Sequence, residues 1–462
     1  MGHRLVRGVF CTVLLVLAIG AGAARAATFT PGSSGLGDPM FPNAGNGGYD
    51  VKNYNLTLDY TPAGNQLAGT ATITAAATQD LSSFNLDLRG FAITRLLVNG
   101  RAATYTRDGG QELTIMPRSG LANGSPFTAT IDYAGTPGVV TDPDGSIEGW
   151  VPTDDGAFVV NEPQGSPAWF PCNDNPRDKA TYDFSVAVPD GLTVVANGVL
   201  VSNASSGGKT TWVWKETDPM ATYLATTTLG KFDLTMSKIG NIPSYVAVDP
   251  QLPRGQVLAK LPEAVQFYSS IYGPYPFSAV GAIVDSAKNV GYSLETQTKP
   301  NFPAMPDEAT LVHELSHQWF GDSLTLTKWP DIWLHEGFAT WSEWIWSEHT
   351  GNKTAAQSFK GLYDSHPASD TGFWGPAVDN FTDPALLFNG TVYYRGGMTL
   401  EALRAKIGDL AFFQLIKDWA TQNRYGSVTT PQFIALAEKW SGMNLTQFFD
   451  AWIFQDAKPT TW

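Results

Sequence analysis

Cysteine is nearly absent from this chain, with only two in 462 residues. Cys11 lies in an N-terminal segment that we expect to be cleaved, which leaves Cys172 alone. An internal disulfide is therefore not available to the mature chain. A closed structural zinc site is also disfavoured, because such sites normally take four protein ligands and often use cysteine. We interpret Cys172 as a buried, inert thiol.

Basic residues are also few, since 29 Lys and Arg stand against 43 Asp and Glu, for a formal net charge of −14. Loss of Arg4, Arg7 and Arg25 with the N-terminal segment leaves 26 against 43, a charge of −17. Such a surface repels nucleic acid and anionic membranes, and no basic cluster offsets it. We therefore expect no nucleic-acid partner and no membrane partner for the mature chain.

Long hydrophobic runs are missing too. The apolar run at residues 9–18 is well short of the roughly 20 residues that a membrane-spanning helix needs. Arg4 and Arg7 precede it, and Ala24-Arg25-Ala26 supplies small residues around a cleavage point. This layout predicts a signal peptide at residues 1–26 and a secreted, extracellular protein that begins near Ala27. An uncleaved membrane anchor is the alternative.

The length of 462 residues exceeds one compact core and favours two domains. Residues 27–48 are rich in Gly, Pro, Ser and Asn, which predicts a flexible leader. From residue 49 to 237 short β-type runs alternate with turn signals, which predicts an antiparallel β domain. The clearest strands are expected at residues 54–60, 68–75, 127–133, 182–188 and 210–214.

From residue 238 to 462 the pattern becomes mainly helical. Strands are expected at 245–248 and 280–285, and helices at 261–271, 306–320, 332–347, 399–407, 410–423, 431–441 and 445–454. The predicted fold class is therefore α+β, with an N-terminal antiparallel β domain followed by a mainly α domain.

A metal-binding motif lies inside the predicted helix 306–320, where residues 313–317 read His-Glu-Leu-Ser-His. The spacing of four puts His313 and His317 on one helix face, one turn apart, where both imidazoles can reach one ion. Glu314 then projects beside that ion and can act as general base toward a water molecule. Two half-buried histidines without a metal are the structural alternative.

A hydrolytic zinc site needs a third protein ligand and an open position. Glu336 is the candidate, because it opens the next predicted helix after a connection that contains Gly321 and Pro330. Two histidines and one glutamate are a ligand set that catalytic zinc uses. His335, its neighbour, is the competing ligand.

The motif and its surroundings resemble the gluzincin zinc aminopeptidases of the aminopeptidase N type. Eighteen residues separate His317 from Glu336, and the segments Gln-Trp-Phe-Gly-Asp (318–322) and Trp-Leu-His-Glu-Gly-Phe-Ala (333–339) are similar to that family. The family resemblance implies that residues 49–237 form a saddle-shaped β domain. It also implies that residues 238–462 form a thermolysin-like catalytic domain with one zinc ion per chain.

Three further residues take roles from the same resemblance. Glu295, in Gly-Tyr-Ser-Leu-Glu-Thr (291–296), resembles the exopeptidase-motif glutamate, and Glu162 resembles the N-domain glutamate nine residues before Pro171. Both are expected to bind the α-ammonium of a peptide substrate. Tyr393, in Val-Tyr-Tyr-Arg-Gly (392–396), resembles the tyrosine that stabilises charge on the scissile carbonyl oxygen, with Tyr394 as a decoy beside it.

The sequence departs from the family pattern in three ways. The exopeptidase motif is only loosely kept around Glu295, and His335 replaces the usual asparagine. The resemblance also implies a short form, without the C-terminal helical domain of larger relatives.

The resemblance implies a secreted zinc metallopeptidase that acts on peptides, with aminopeptidase activity as the first hypothesis. A zinc endopeptidase with an open cleft is the nearest alternative, because no helical cap is expected over the site. A noncatalytic peptide-binding scaffold is the other alternative, although such a protein would be expected to lose the ligands or the base.

Overall fold

The computed structural model describes residues 1–3, 5, 8, 28–379 and 381–460. The predicted signal peptide at residues 1–26 lies outside the described residues except at five positions, so it stays a prediction. None of the helices in the described ranges combines the length and hydropathy of a membrane-spanning segment.

The first part of the described chain consists of β-strands that alternate buried and exposed side chains, as a sheet with one covered face requires. In β2 (Tyr49–Thr61), Leu56, Leu58 and Tyr60 are buried and the residues between them are exposed. The other strands up to residue 230 are β1 (Thr30–Pro31), β3 (Gln66–Ala77), β4 (Leu81–Asp87), β5 (Ala92–Val98), β6 (Arg101–Ala102), β7 (Thr104–Arg107), β8 (Glu112–Met116), β9 (Pro126–Gly135), β10 (Val139–Thr141), β11 (Ile147–Pro152), β12 (Ala157–Val160), β13 (Lys179–Pro189), β14 (Thr193–Ala196), β15 (Val199–Ser206), β16 (Lys209–Ala221) and β17 (Thr227–Gly230).

The largest sheet of the described chain has the strand order β15-β16-β13-β2-β3-β9-β5-β6. Its neighbours are antiparallel except for β13 and β2, which run parallel. Phe184, Leu56, Ala71 and Ile131 lie opposite one another across four successive strands, and all four are buried. This register gives the sheet one continuous apolar face.

Two smaller sheets of the described chain have the orders β1-β4-β8-β7 and β10-β11-β12-β17-β14. The second of these positions part of the functional site. Its strand β12 ends just before Glu162, and its hairpin of β10 and β11 carries Asp144 at the turn.

Residues 28–48 pack against both parts of the chain. Strand β1 pairs with β4, and the buried ring of Phe41 meets the ring of Trp329 edge-on at 6.2 Å. The Oδ2 of Asp38 accepts the backbone N–H of Trp329 at 2.8 Å. The prediction of a flexible leader is therefore wrong for these residues. Their polar residues form tight turns, and their few apolar side chains pack into a core formed by residues far away in the sequence.

The second part of the described chain begins with a mixed sheet of β18 (Asp233–Ile239), β19 (Ile242–Val248), β20 (Val280–Val284) and β21 (Asn301–Phe302), in that order. The predicted boundary between residues 237 and 238 falls inside β18, because the helical pattern that suggested it follows this hairpin. A short parallel pair joins β22 (Thr325–Leu326) to β23 (Ser427–Val428).

Helices make up most of the remaining structure. They are α1 (Leu261–Tyr272), α2 (Glu308–Ser316), α3 (Trp333–His349), α4 (Ala355–Ser365), α5 (Thr371–Trp374), α6 (Gly396–Ile407), α7 (Asp409–Gln422), α8 (Thr430–Ser441) and α9 (Thr446–Phe449). Short π-helices cover Thr391–Arg395 and Asp450–Phe454, and 3₁₀ turns cover Ser166–Ala168, Thr222–Leu224, Val257–Lys260, Trp329–Asp331 and Pro384–Leu386. The predicted fold class, a β domain followed by a mainly helical domain, is confirmed.

Several helices differ from the predicted pattern, and neither α4 nor α5 lies in a predicted helix. The predicted helix 306–320 is shortened to α2, and the predicted helix 445–454 is divided into α9 and a π-helix. Helix α4 was not predicted, although its start carries a capping box in which Thr354 and Gln357 bond each other's backbone.

A buried lysine joins the two parts. Lys179 of β13 donates from Nζ to the carbonyl oxygens of Asp322, Ser323 and Gly426, at 3.0, 2.8 and 3.2 Å. These carbonyls lie just beyond α2 and α7. The β domain therefore holds the segment that follows the metal-binding motif.

Asp38 provides a test of the packed N-terminal segment. Its Oδ1 also accepts the backbone N–H of Met40 at 2.8 Å, so Asp38→Ala leaves buried donors unpaired. We expect this variant to lose about 2–3 kcal/mol in the free energy of unfolding, measured by denaturant titration. We also expect faster proteolysis within residues 28–48. Asp50→Ala, which removes an exposed ion pair with Lys52, is the control and should cost less than about 1 kcal/mol. Equal stability of the two variants would contradict the packing role.

Candidate metal centre and substrate cavity

Helix α2 carries the histidine pair. The Asp307 side chain caps its first turn by accepting the backbone N–H of Thr310 at 2.8 Å. Leu311, Val312 and Leu315 are buried and fix which face of the helix points into the protein. His313 lies on α2 and His317 follows its last residue, and their ring centres are 4.9 Å apart.

Helix α3 brings Glu336 to this pair. The Glu336 Oε2 lies 3.2 Å from the Nε2 of His313 and 3.6 Å from the Nε2 of His317. A close helix crossing fixes this position, because a Cβ on Gly337 would come within 2.8 Å of the Gly396 backbone. Only glycine at both positions lets α3 lie this near to the start of α6.

The other ring nitrogens are also engaged. The Nδ1 of His313 lies 2.7 Å from the Glu343 Oε1, and the Nδ1 of His317 lies 2.9 Å from the Phe320 carbonyl oxygen. Both partners are oxygens that accept a hydrogen bond from Nδ1–H, which leaves the Nε2 lone pairs directed at the position beside Glu336. No sequence motif indicated Glu343. Its signal is a spacing of seven residues from Glu336, two turns along the same helix face.

The three donors fit a zinc ion. Their ligand atoms all lie within 4.8 Å of one another and converge from two helices. Burial opposes the charge on Glu336, but His317 and His313 hold the pKa of its carboxyl below the usual range. Two imidazole nitrogens and one ionised carboxylate form the donor set of an open catalytic zinc site.

His335, the alternative third ligand, does not join this group among the described residues. It is fully buried, and neither of its ring nitrogens has a hydrogen-bond partner there. Adjacent positions on a helix diverge by about 100°, so His335 and Glu336 cannot share one ligand position. The structure thus brings Glu336, and not His335, to the two histidines.

Glu314 lies within reach of the same position. A carboxyl oxygen of Glu314 lies within 4.8 Å of a ring nitrogen of His317 and of a carboxyl oxygen of Glu295. The Glu314 side chain lines the same cavity as the metal donors. Burial raises the pKa of Glu314 to about 7, although the neighbouring histidines lower it. A carboxyl whose pKa lies near neutrality can both accept and return a proton.

Tyr393 faces the centre from the π-helix Thr391–Arg395. Its ring lies 6.2 Å from the His313 ring and lines the cavity, whereas Tyr394 is 48% exposed and stacks on Phe373. The fully buried Arg395 anchors this turn by donating to the carbonyl oxygens of Trp374 and Ala451. The sequence motif around Tyr393 gave no indication of these distant partners.

Glu162, which follows β12, and Glu295, which lies between β20 and β21, line the same cavity. The Oε1 of each is buried and has no hydrogen-bond partner in the described chain. Burial and the charge of Glu295 raise the pKa of Glu162 well above its usual value. Gln318, one residue after His317, holds the Glu295 segment by donating to the Glu295 carbonyl oxygen at 3.0 Å.

The cavity that joins these groups has a volume of about 260 Å³. It is lined by Asp144, Ser146, Glu162, Tyr292, Ser293, Glu295, His313, Glu314, His317, Glu336, Phe388 and Tyr393. Every site residue predicted from the sequence is among these lining residues. The structure adds Asp144, Ser146 and Phe388, which lie outside the motifs, and Tyr292 and Ser293, which belong to the segment around Glu295 but were given no role.

Two family profiles match the chain. The "Peptidase M1 N-terminal domain" matches residues 51–224, and the "Peptidase family M1 domain" matches residues 301–452. Together they span both parts of the fold. They include all the cavity-lining residues except Tyr292, Ser293 and Glu295, which lie between the two matched regions.

Named relatives include a probable aminopeptidase 2 of Sulfurisphaera tokodaii, which is 27% identical over 64% of this chain and 40% of that protein. Aminopeptidase M1 of Arabidopsis thaliana is 26% identical over 66% of this chain and 37% of that protein. Aminopeptidase N of Streptomyces lividans is 25% identical over 65% of this chain and 38% of that protein. The matched region thus spans about two fifths of the length of these relatives.

A solved structure matches nearly end to end. The M1 zinc metallopeptidase of Deinococcus radiodurans has a TM-score of 0.84 at 28% identity and covers 92% of this chain and 99% of that one. A mutant of that enzyme bound to a Tyr-Ser-Ala substrate has a TM-score of 0.83 at 28% identity and covers 91% of this chain and 97% of that one. The chain therefore belongs to the M1 family of zinc metallopeptidases.

Proposed function

We propose that this chain is a zinc aminopeptidase that releases the N-terminal residue of peptides. The observation that carries the proposal is the pair of buried, unpartnered carboxylate oxygens of Glu162 and Glu295 in the described cavity of the metal donors. Burying such groups without a partner is costly, so the site is complete only when a cation occupies it. The α-ammonium of a peptide supplies that cation next to the first peptide bond.

Each residue has a distinct part in the reaction. His313, His317 and Glu336 would hold the zinc, which supplies Lewis-acid chemistry and lowers the pKa of water when bound. Glu314 accepts the proton of the attacking water and passes it to the departing amine nitrogen. The Tyr393 hydroxyl donates a hydrogen bond to the carbonyl oxygen as negative charge develops there.

The carboxylates also favour the exopeptidase over the endopeptidase alternative. An internal peptide segment brings no ammonium group, and its binding would leave Glu162 and Glu295 uncompensated. The Tyr-Ser-Ala complex of the related metallopeptidase supports a short peptide with a free amine as the substrate class.

We also propose that the protein is exported. The charged start, the apolar run at residues 9–18 and the small residues at 24–26 support secretion with cleavage before Ala27.

Replacement of the general base tests the mechanism. Glu314→Gln keeps the size of the side chain and removes its ability to take a proton. We expect one zinc per chain by metal analysis, as in the wild type, and a fall in kcat of roughly 10²–10⁴-fold on a leucine amide. Glu308→Gln, on the first turn of the same helix, is the control and should retain full activity. Bound zinc with undiminished turnover would remove Glu314 from the reaction.

A second prediction concerns the free amine. The wild type should cleave a leucyl amide and leave its N-acetylated form intact. Glu295→Gln should lower kcat/KM for the free-amine substrate roughly 10- to 100-fold, because a neutral amide replaces a charge-assisted partner. Glu112→Gln is the matched control, since Glu112 also has a buried Oε1 without a partner in the described chain but lies outside this cavity. A preference for the blocked substrate would instead support an endopeptidase.

Export has its own test. When the full-length gene is expressed in a host that secretes proteins by signal peptide, N-terminal sequencing of the protein in the medium should begin near Ala27. Retention of residues 1–26 in a membrane-bound product would identify an anchor and contradict the proposal.

A further inference from the structure

The turn of the hairpin of β10 and β11 contributes Asp144 and Ser146 to the lining of the active-site cavity. Its tight turn is closed by the Asp142 N–H, which donates to the Ser146 carbonyl oxygen at 2.9 Å. At the tip, Oδ1 of Asp144 accepts the backbone N–H and the hydroxyl of Ser146 at 2.9 and 2.7 Å. The turn therefore uses one oxygen of Asp144. The other oxygen has no hydrogen bond within the described chain, and the exposed side chain lines the cavity.

The hairpin is attached to both segments that carry the ammonium-binding carboxylates. Gln164, two residues after Glu162, donates from its side chain to the Asp142 Oδ1 at 3.0 Å. On the other side the Tyr292 hydroxyl, three residues before Glu295, donates to the Ile147 carbonyl oxygen at 3.0 Å. The tip of the hairpin is thus held beside the end of the cavity where the first residue of a peptide would lie.

Asp144 differs from the other carboxyls of this cavity. Five carboxyl groups line it, from Asp144, Glu162, Glu295, Glu314 and Glu336, and no lysine or arginine of the described chain joins them. In the proposed function Glu336 holds the zinc, Glu162 and Glu295 hold the α-ammonium, and Glu314 exchanges a proton with water. Asp144 is therefore the one lining carboxyl to which that function assigns no partner.

Behind the hairpin, burial and the neighbouring Asp142 raise the pKa of Glu148 well above its usual value. Asp144 is the hairpin carboxylate that reaches the cavity itself.

We propose that Asp144 is a specificity-determining residue that selects peptides whose first residue is lysine or arginine. The inference rests on the proposed aminopeptidase function. Once Glu162 and Glu295 hold the α-ammonium, the side chain of the first residue can extend toward the hairpin. A terminal ammonium or guanidinium there can pair with the Asp144 carboxylate oxygen that the turn does not use.

Arginine and its neutral isostere citrulline separate charge from size. We expect the zinc-loaded wild type to favour an arginyl amide over a citrullyl amide by roughly three- to fivefold in kcat/KM, the upper part of the range for a single exposed charge pair. The ratio should fall as ionic strength rises from about 0.05 to about 0.5 M, because salt screens exposed charges.

Asp144→Asn keeps the Oδ1 that forms the turn and removes the charge. We expect its arginine-to-citrulline ratio to fall to near one, with citrullyl-amide hydrolysis unchanged within about twofold and the salt dependence of the ratio lost. Asp108→Asn is the matched control, because Asp108 is another exposed residue whose Oδ1 accepts a backbone N–H two residues on, outside this cavity. It should keep the wild-type ratio.

The outcomes distinguish this inference from the proposed function. Equal hydrolysis of arginyl and citrullyl amides by the wild type, or an unchanged ratio in Asp144→Asn, overturns the role of Asp144 and leaves the aminopeptidase intact. A lack of cleavage of every free-amine substrate, with cleavage of blocked peptides, overturns both.

Discussion

The whole site depends on one buried contact, the approach of the Glu336 carboxylate to two imidazole nitrogens at 3.2 and 3.6 Å. An ionised carboxylate with a side chain only 4% exposed needs compensation that a helix interior does not offer. The histidines of the other helix provide it, and a zinc ion shared by all three donors provides more. The glycine contact between α3 and α6 makes this approach possible, because any side chain there would push Glu336 away.

Around that contact the protein tolerates carboxylates that its own described residues do not neutralise. Unpartnered oxygens of Glu162 and Glu295 lower the stability of the free protein, since each is buried without a donor from the described chain. In the proposed aminopeptidase, a peptide ammonium would offset that cost on binding, so the unpartnered oxygens would favour binding of a chain terminus. Stability and recognition are therefore opposed at the same atoms, as is common where a site is built to bind an ion.

Local pattern was enough for much of the fold. Alternation of apolar and polar residues identified the strands around Leu56, Ala71, Ile131 and Phe184, because a half-covered sheet repeats every two residues. Local pattern was not enough at residues 28–48, where polar turns surround a few apolar side chains that pack against a surface distant in sequence. It also placed a regular helix at 445–454, where the structure has a short α-helix followed by a π-helix.

The sequence by itself determined the metal-binding motif, because both histidines and the base lie within five residues whose geometry one helix sets. It also pointed to Glu336, Glu162, Glu295 and Tyr393, mostly through family motifs. Only the tertiary structure decided between Glu336 and His335, identified Glu343 and Arg395 as supports, and placed Asp144 in the lining of the cavity. Those relations join elements far apart in the chain, and no local periodicity encodes which distant surfaces meet when a core packs.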